Sequence, residues 1–409
     1  MDVELCPLMQ FITRSYSGGT PKSTETSYYG GTIPWLTTTE INYSDVYDTE
    51  KHISESGFDN SSAKWVPVNS VIIAMYGRGT AGRCCVNKVP VTTNQACYSL
   101  IFDSEKMHYR YAYYAIKNSF NQLDSLTNGA VQQNLNSDII LNFKIPHHNL
   151  GDQLKIVSIL GNIDDKIEQN RKVNDNLLTI RNEIFNNWVN LHTAGEIVSS
   201  VANNGFVSLD EMCSTVTDGS HFSPESDENG THAMFSVKDM EIHGFNRKNC
   251  KMIGDESFEK MKSSGCVPQV DDVLIAKDGS YLKQLFLVNE PMDDAILSSI
   301  AIFRPNQAVI YPEILLAYLQ STIVYNYVKD NYVSGSAVPR IVLKSFKQLH
   351  IALPELSIQK EIIDSMRTIR FLIESNSKSV VQLESIRDYL LPKLMSGEID
   401  VSTWRYPTK

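Results

Sequence analysis

Two α/β (α+β) domains of mixed sheet and helices, joined by two long helices that pair as an antiparallel coiled coil, are the fold class the sequence predicts. Three observations predict it. Residues 145–185 align without a gap on residues 351–391, at an offset of 206, with twelve of the 41 positions identical. Both copies carry an unbroken heptad. The large segments that precede the two copies differ in sequence but keep their landmarks in one order. A period near 200 residues is too long for a solenoid. It marks a duplicated domain, each time followed by the same helix.

The helices carry the clearest signal. In the first copy Ile156, Leu160, Ile163, Ile167, Asn170, Asn174, Leu177, Arg181, Ile184 and Trp188 follow one another in steps of four and three. Such steps define a coiled-coil seam. Ile362, Met366, Ile369, Ile373, Asn376, Val380, Leu383, Arg387 and Leu390 repeat it. Asn170 and Asn376 occupy the same seam position, where a polar residue trades stability for register. A whole domain separates the helices, so they can pair antiparallel without a tight loop. Pro392 and Gly397 are expected to stop the second helix.

The two large segments come next. Residues 17–20 (SGGT) answer to 217–220 (TDGS), and 35–37 (WLT) to 234–236 (MFS). Residues 71–74 (VIIA), two residues short of Gly77, answer to 273–276 (VLIA), two short of Gly279. Ala112–Tyr113 answers to Ala317–Tyr318, and Gly129 to Gly335. The short β-branched runs read as strands; residues 109–119 and 312–328 read as helices. The predicted domains are 1–145 and 191–350, with helical spacers 146–190 and 351–398 and a tail 399–409.

Composition is that of an ordinary globular protein, 42% apolar and 21% charged. No signal peptide and no membrane span are expected, and seven scattered cysteines without zinc spacing suggest free thiols in a reducing cytoplasm. A net charge of −10 speaks against nucleic acid. Its distribution speaks for it: residues 60–102 contain no acid but Lys64, Arg78, Arg83 and Lys88, and residues 331–354 none but Arg340, Lys344, Lys347 and His350.

With these landmarks in place, the chain resembles the specificity subunit of a type I restriction–modification system (HsdS-like) over essentially its full length. The matching strings are 145–153 (IPHHNLGDQ), 163–170 (IDDKIEQN) and 351–359 (IALPELSIQ). The first domain adds 18–21 (GGTP), 30–35 (GGTIPW), 93–95 (TNQ) and 129–132 (GAVQ), and the second 217–221 (TDGSH) and 335–340 (GSAVPR). Each is weak alone; their order and duplication are not. Departures fall in the linker, where Pro146-His147-His148-Asn149 replaces a run of prolines and Ile358 stands where an acidic residue is common. The resemblance implies two target-recognition domains, each reading half of a bipartite, asymmetric site in double-stranded DNA, with the helices setting the gap. It implies docking of methyltransferase subunits, two in number, which carry S-adenosylmethionine, and of motor-nuclease restriction subunits. Alternatives are a freestanding specificity chain of another restriction class, or a coiled-coil protein adaptor that binds no DNA.

The chain itself is expected to be noncatalytic and to hold no cofactor. It lacks a polar–Pro–Pro–aromatic methyltransferase loop, a GxGxxG turn and a Walker phosphate loop. His147–His148, Asp271–Asp272 and Asp293–Asp294 raise metal chemistry, but the spacing favours caps and turns, and no metal is expected. Base edges in the major groove carry the code, with Arg suited to guanine and Asn or Gln to adenine. The candidate DNA-binding residues are therefore Thr20, Lys22, Arg78, Arg83, Asn94, Gln95 and Gln132 in the first domain. In the second they are Ser220, His221, Lys277, Lys283, Ser336 and Arg340. Gly18, Gly19, Gly129 and Gly335 are expected to serve backbone geometry or close approach to the duplex.

Overall fold

The computed structural model describes residues 3–77, 79–127, 134–193, 197–199, 205–241, 244–279, 284–334 and 340–404. The chain divides into two compact units, residues 1–169 with 380–409, and residues 170–379. The divisions fall inside the long helices, because each helix contributes one end to the core of each unit.

In the first unit, strands run in the order Ile12–Ser17, Cys97–Phe102, Val71–Ala74, Cys84–Asn87 and Asp45–Val46. The pairs are antiparallel except the last, which is parallel. The central strand Val71–Ala74 is buried on both faces. Val71 and Ile73 face the helix Tyr109–Asn118 and the start of the first long helix, whereas Ile72 and Ala74 face Leu36, Val66 and Val91. This is the two-residue alternation of a strand. A small second sheet places Tyr29–Leu36 between His52–Ile53, antiparallel, and Thr92–Thr93, parallel.

The second unit repeats the plan. Cys213–Asp218, Ile300–Pro305, Val273–Ala276 and Leu285–Leu287 form an antiparallel sheet in that order. His232–Phe235 lies between Lys251–Ile253, antiparallel, and Ala295–Ile296, parallel. Two capping boxes follow at matched places: Thr37 N–H donates to Glu40 (3.1 Å), and Ser236 N–H to Asp239 (2.8 Å). Residues 35–37 therefore answer to 234–236, as the sequence suggests.

The long helices are Leu150–Thr193 and Leu356–Met395. The first begins later than residue 146, because Lys144–His147 is a strand paired with Glu4–Pro7. Asn149 Oδ1 accepts from Asp152 N–H (3.0 Å) and caps it. The second helix passes through Pro392, contrary to expectation, and ends at Met395, two residues before Gly397 (φ 76°). A proline one turn from the end removes a single donor, and Ser396 N–H to Pro392 O (2.9 Å) holds the last turn. In the first unit Ile156 and Leu160 pack with Leu391, Leu394 and Met395, and Arg387 donates to Asp164 (3.0 Å). In the second, Asn174 meets Ile373 O (3.3 Å) and Ser377 (3.1 Å), and Trp188 Nε1 donates to Ile358 O (3.3 Å). In each unit one number rises as the other falls, so the segments run antiparallel. Ile156, Leu160, Ile167, Asn170, Ile362, Met366, Ile369 and Ile373 are buried, and Ile163, Leu177, Asn376 and Leu383 half-buried. Asn376 donates to Asn174 (2.9 Å), while Asn170 donates to Ser379 (3.2 Å). The polar seam residues thus bond across the pair, but Asn170 and Asn376 do not meet each other.

A fully buried glutamine binds domain to helix in each unit. Gln153 accepts from His108 N–H (2.9 Å) and donates to Lys106 O (3.2 Å) and His148 O (2.8 Å). Gln359 accepts from Tyr311 N–H (3.1 Å) and donates to Val309 O and Pro354 O, both at 2.9 Å. Both acceptor bonds fix the residue just before a domain helix, Tyr109–Asn118 or Pro312–Gln320. The expected helix over 312–328 breaks at Ser321, whose hydroxyl caps a second helix, Thr322–Asn331.

Candidate nucleic-acid interface

In each unit one end of the main sheet gathers loops that carry candidate residues. In the first, the chain leaves Ile12–Ser17 through Gly18 and Gly19, whose N–H groups donate to Cys97 O (3.3 Å) and Thr93 O (2.9 Å). In the second, Gly219 and Ser220 donate to Ile300 O (3.0 Å) and Ile296 O (2.8 Å). Gly18 therefore matches Gly219, one residue off the sequence alignment. A Cβ on Gly18 would stand 2.0 Å from Thr93 O, and one on Gly219 2.4 Å from Ile296 O. These glycines, with Gly19 against Ser62 and Ala63, admit the chain's own backbone.

The structure brings Thr20 and Gln95 into a direct hydrogen bond at this end. Lys22 is on the same loop, well exposed, 3.7 Å from Glu25. Asn94 is used locally: its Oδ1 accepts from Ala96 N–H (3.1 Å) and shapes the turn. Arg83 donates to Asn42 Oδ1 (3.1 Å), and no contact among the described residues joins it to Thr20, Lys22 or Gln95. Arg78, Gln132, Lys283 and Ser336, and likewise Gly129 and Gly335, lie outside the described residues.

The second unit assembles its candidates more tightly. Lys277 is buried and ion-paired with Asp218, and His221 stands 3.6 Å from that same carboxylate. Ser220 is buried, its hydroxyl bonded to Phe222 N–H (3.0 Å) and Phe222 O (2.9 Å). Lys277 and Ser220 are therefore both bonded within the domain. Ile341 N–H donates to Lys277 O (3.0 Å), which seats the neighbouring Arg340 here, as Leu135 N–H to Met75 O (3.0 Å) does in the first unit. Arg340 is held by Asp278 through Nε (2.8 Å) and Nη2 (3.1 Å) while its side chain stays 63% exposed. A guanidinium braced on one edge and open to solvent is prepared for a base edge or a phosphate.

Aromatic–cation pairs outside the expected candidates lie close by in the chain. Tyr16 lies under Lys64 (5.5 Å) and Arg14 (5.7 Å), and Trp65 is exposed. Phe222, also exposed, lies under Lys260 (4.2 Å). A basic residue beside an aromatic, such as Lys64–Trp65, was the available signal. The acidic pairs are accounted for by structure. Asp272 is fully buried and takes both arms of Arg304 at 2.8 Å; Asp294 takes Arg247 at 2.6 and 2.9 Å. His148 accepts or donates at Tyr111 (2.7 Å), and burial lowers its pKa. Among the described residues no cluster of His, Cys, Asp and Glu could hold a metal. Among the described residues no helix is long and apolar enough to cross a membrane.

Comparison with known proteins agrees with this geometry. Residues 8–178 match the family described as Type I restriction modification DNA specificity domain. The chain is 25% identical over 408 residues to the Type I restriction enzyme MjaIX specificity subunit of Methanocaldococcus jannaschii, covering 94% of this chain and 90% of that one. It is 30% identical over 159 residues to the Type I restriction enzyme EcoR124I/EcoR124II specificity subunit of Escherichia coli, 37% of this chain and 39% of that one. It resembles the crystal structure of a Type-I restriction-modification system S subunit from M. genitalium, with a TM-score of 0.58 and 17% identity over 96% of both chains, a likeness of fold. The duplicated frame and the family match over residues 8–178 together place the chain beside DNA-specificity proteins. Residues 8–178 carry the specificity domain of that family, and over 94% of its length the chain is similar to a type I restriction enzyme specificity subunit.

Proposed function

We propose that each unit reads one half of a bipartite, asymmetric target in double-stranded DNA. The observation that carries this reading is one frame with two chemistries. At matched sheet ends the first unit offers Thr20, Lys22 and Gln95, and the second His221 and Arg340. Replacing residues 197–349 with the matching segment of a relative tests it. Methylation mapped in cells should show one half of the recognised sequence changed and the other kept. A change in both halves, or in neither, would sink the reading.

We further propose that methyltransferase subunits dock on the long helices, one to each unit, and that motor-nuclease subunits join through them. Ile180 and Ile386 are the same position of the repeat and are identical, yet they are 47% and 48% exposed. An apolar residue kept in both copies and left in water suits a partner surface present twice. In this reading S-adenosylmethionine belongs to the methyltransferase, this chain holds no cofactor, and the assembly works in the cytoplasm. Ile180→Asp and Ile386→Asp should each remove one of two bound methyltransferase subunits, read as mass in solution. Retention of both by the double variant would exclude this face.

A further inference from the structure

Each domain is latched to its long helix by an ion pair near the start of the domain helix, and the two latches have opposite polarity. The buried glutamines set the comparison. Gln153 fixes His108 and Gln359 fixes Tyr311, so the second residue of each domain helix corresponds: Arg110 in the first unit, Glu313 in the second. This register differs by two residues from the match of Ala112–Tyr113 with Ala317–Tyr318 made on sequence. Arg110 donates to Asp165 of the first long helix at 2.5 Å, and Tyr114 donates to the adjacent Asp164 at 2.7 Å. Glu313, 4% exposed, accepts from Arg370 (3.1 Å) and Arg367 (3.2 Å) of the second long helix.

The reversal runs through the repeat itself. At the offset of 206, Asp164 becomes Arg370, Gly161 becomes Arg367 and Asp165 becomes Phe371. Burial works against the charge of Arg110, but its bond to Asp165 and the nearby Tyr114 and Asp45 outweigh burial and raise its pKa. A second arginine shows the consequence. Arg387 is paired with Asp164 (3.0 Å). For its repeat copy, Arg181, the place of Asp164 is taken by Arg370, and burial lowers the Arg181 pKa to about 10. Arg181 Nε, Arg370 Nε, Glu313 Oε2 and Gln320 Oε1 have no partner and line a cavity of about 40 Å³, room enough for a water with two donors and two acceptors around it.

We infer that this pair of reversed latches is a key that assigns each recognition domain to its own helix. A domain seated on the wrong helix would bring Arg110 against Arg367 and Arg370, or Glu313 against Asp164 and Asp165. Like charges at such a partly buried junction oppose docking. The first domain thus fits an acidic helix surface and the second a basic one, which limits which domains this frame accepts at each end.

The test uses the full chain. E313R should lower the thermal unfolding midpoint by at least about 5 °C, and more than E313Q does. The variant E313R/R367G/R370D/F371D, which gives the second unit the first unit's set, should recover at least half of that loss. A quadruple variant no more stable than E313R would overturn the key. A second arm exchanges residues 3–144 with 205–350. The exchanged chain should be less soluble and less stable than the same chain carrying R110E and E313R; equal stability of the two would overturn the proposal. If neither exchanged chain folds, the point variants alone decide.

Discussion

At the residue scale the decisive question is which polar side chains are already committed. Lys277 and Ser220 are spent on Asp218 and Phe222, whereas Arg340 is braced and open. Arg340→Ala should cost about 1–3 kcal/mol of binding if the side chain reads a base, with the loss confined to targets carrying one base at that position. Competition binding against a set of single-base variants measures it. A loss equal for every target would make Arg340 a phosphate contact. Asp272 makes the opposite case. It is fully buried under Arg304, whose side chain remains 29% exposed. Asp272→Asn should cost about 1–3 kcal/mol of stability, read from the urea midpoint, and Mg²⁺ should shift neither protein. Stabilisation of the native chain alone by Mg²⁺ would restore the metal reading.

At the scale of elements, each domain helix is positioned by one buried glutamine that satisfies three backbone groups. Removing it strands an N–H and two carbonyls in a dry site, and each stranded group costs about 1–3 kcal/mol. Gln153→Leu and Gln359→Leu should each speed amide hydrogen exchange in their own domain helix, with the other helix unchanged. Equal loosening of both helices would show that the clamps are not local. The glutamines were visible in the sequence as identical residues at the head of each long helix. Their role was not, because the partners at His108 and Tyr311 lie 45 and 48 residues away. The same distance explains the shifted matches at Gly18 and at the domain helices. Sequence similarity aligned like residues, whereas the fold aligns like hydrogen bonds.

For the whole molecule, the charge of −10 and the proposed partner must be reconciled. Residues 60–102 and 331–354, which carry Arg83, Asn94, Gln95 and Arg340, contain no acid, and phosphate contacts release counterions whatever the total charge. Binding to a specific duplex should weaken steeply with salt. The logarithm of affinity should fall by about 0.9 per phosphate contacted for each tenfold rise in salt. Arg340→Ala should leave that slope unchanged if it reads a base, and lower it by about one if it holds phosphate. Affinity for DNA that ignores salt would not fit a specificity subunit.

The sequence alone determined the duplication, the existence and place of the central strands Val71–Ala74 and Val273–Ala276, and the buried seam from Ile156 onward. Each is a periodic or repeated pattern, and a backbone with a fixed period must express it wherever one face is buried. Only the tertiary structure decided which partners Asp272, Lys277 and Asn94 bond within the domains. It also decided the reversal of charge between Arg110 and Glu313. Those outcomes depend on which side chain a residue meets across a packed interface, often from a segment 50 or more residues away, and a one-dimensional pattern does not carry that neighbour.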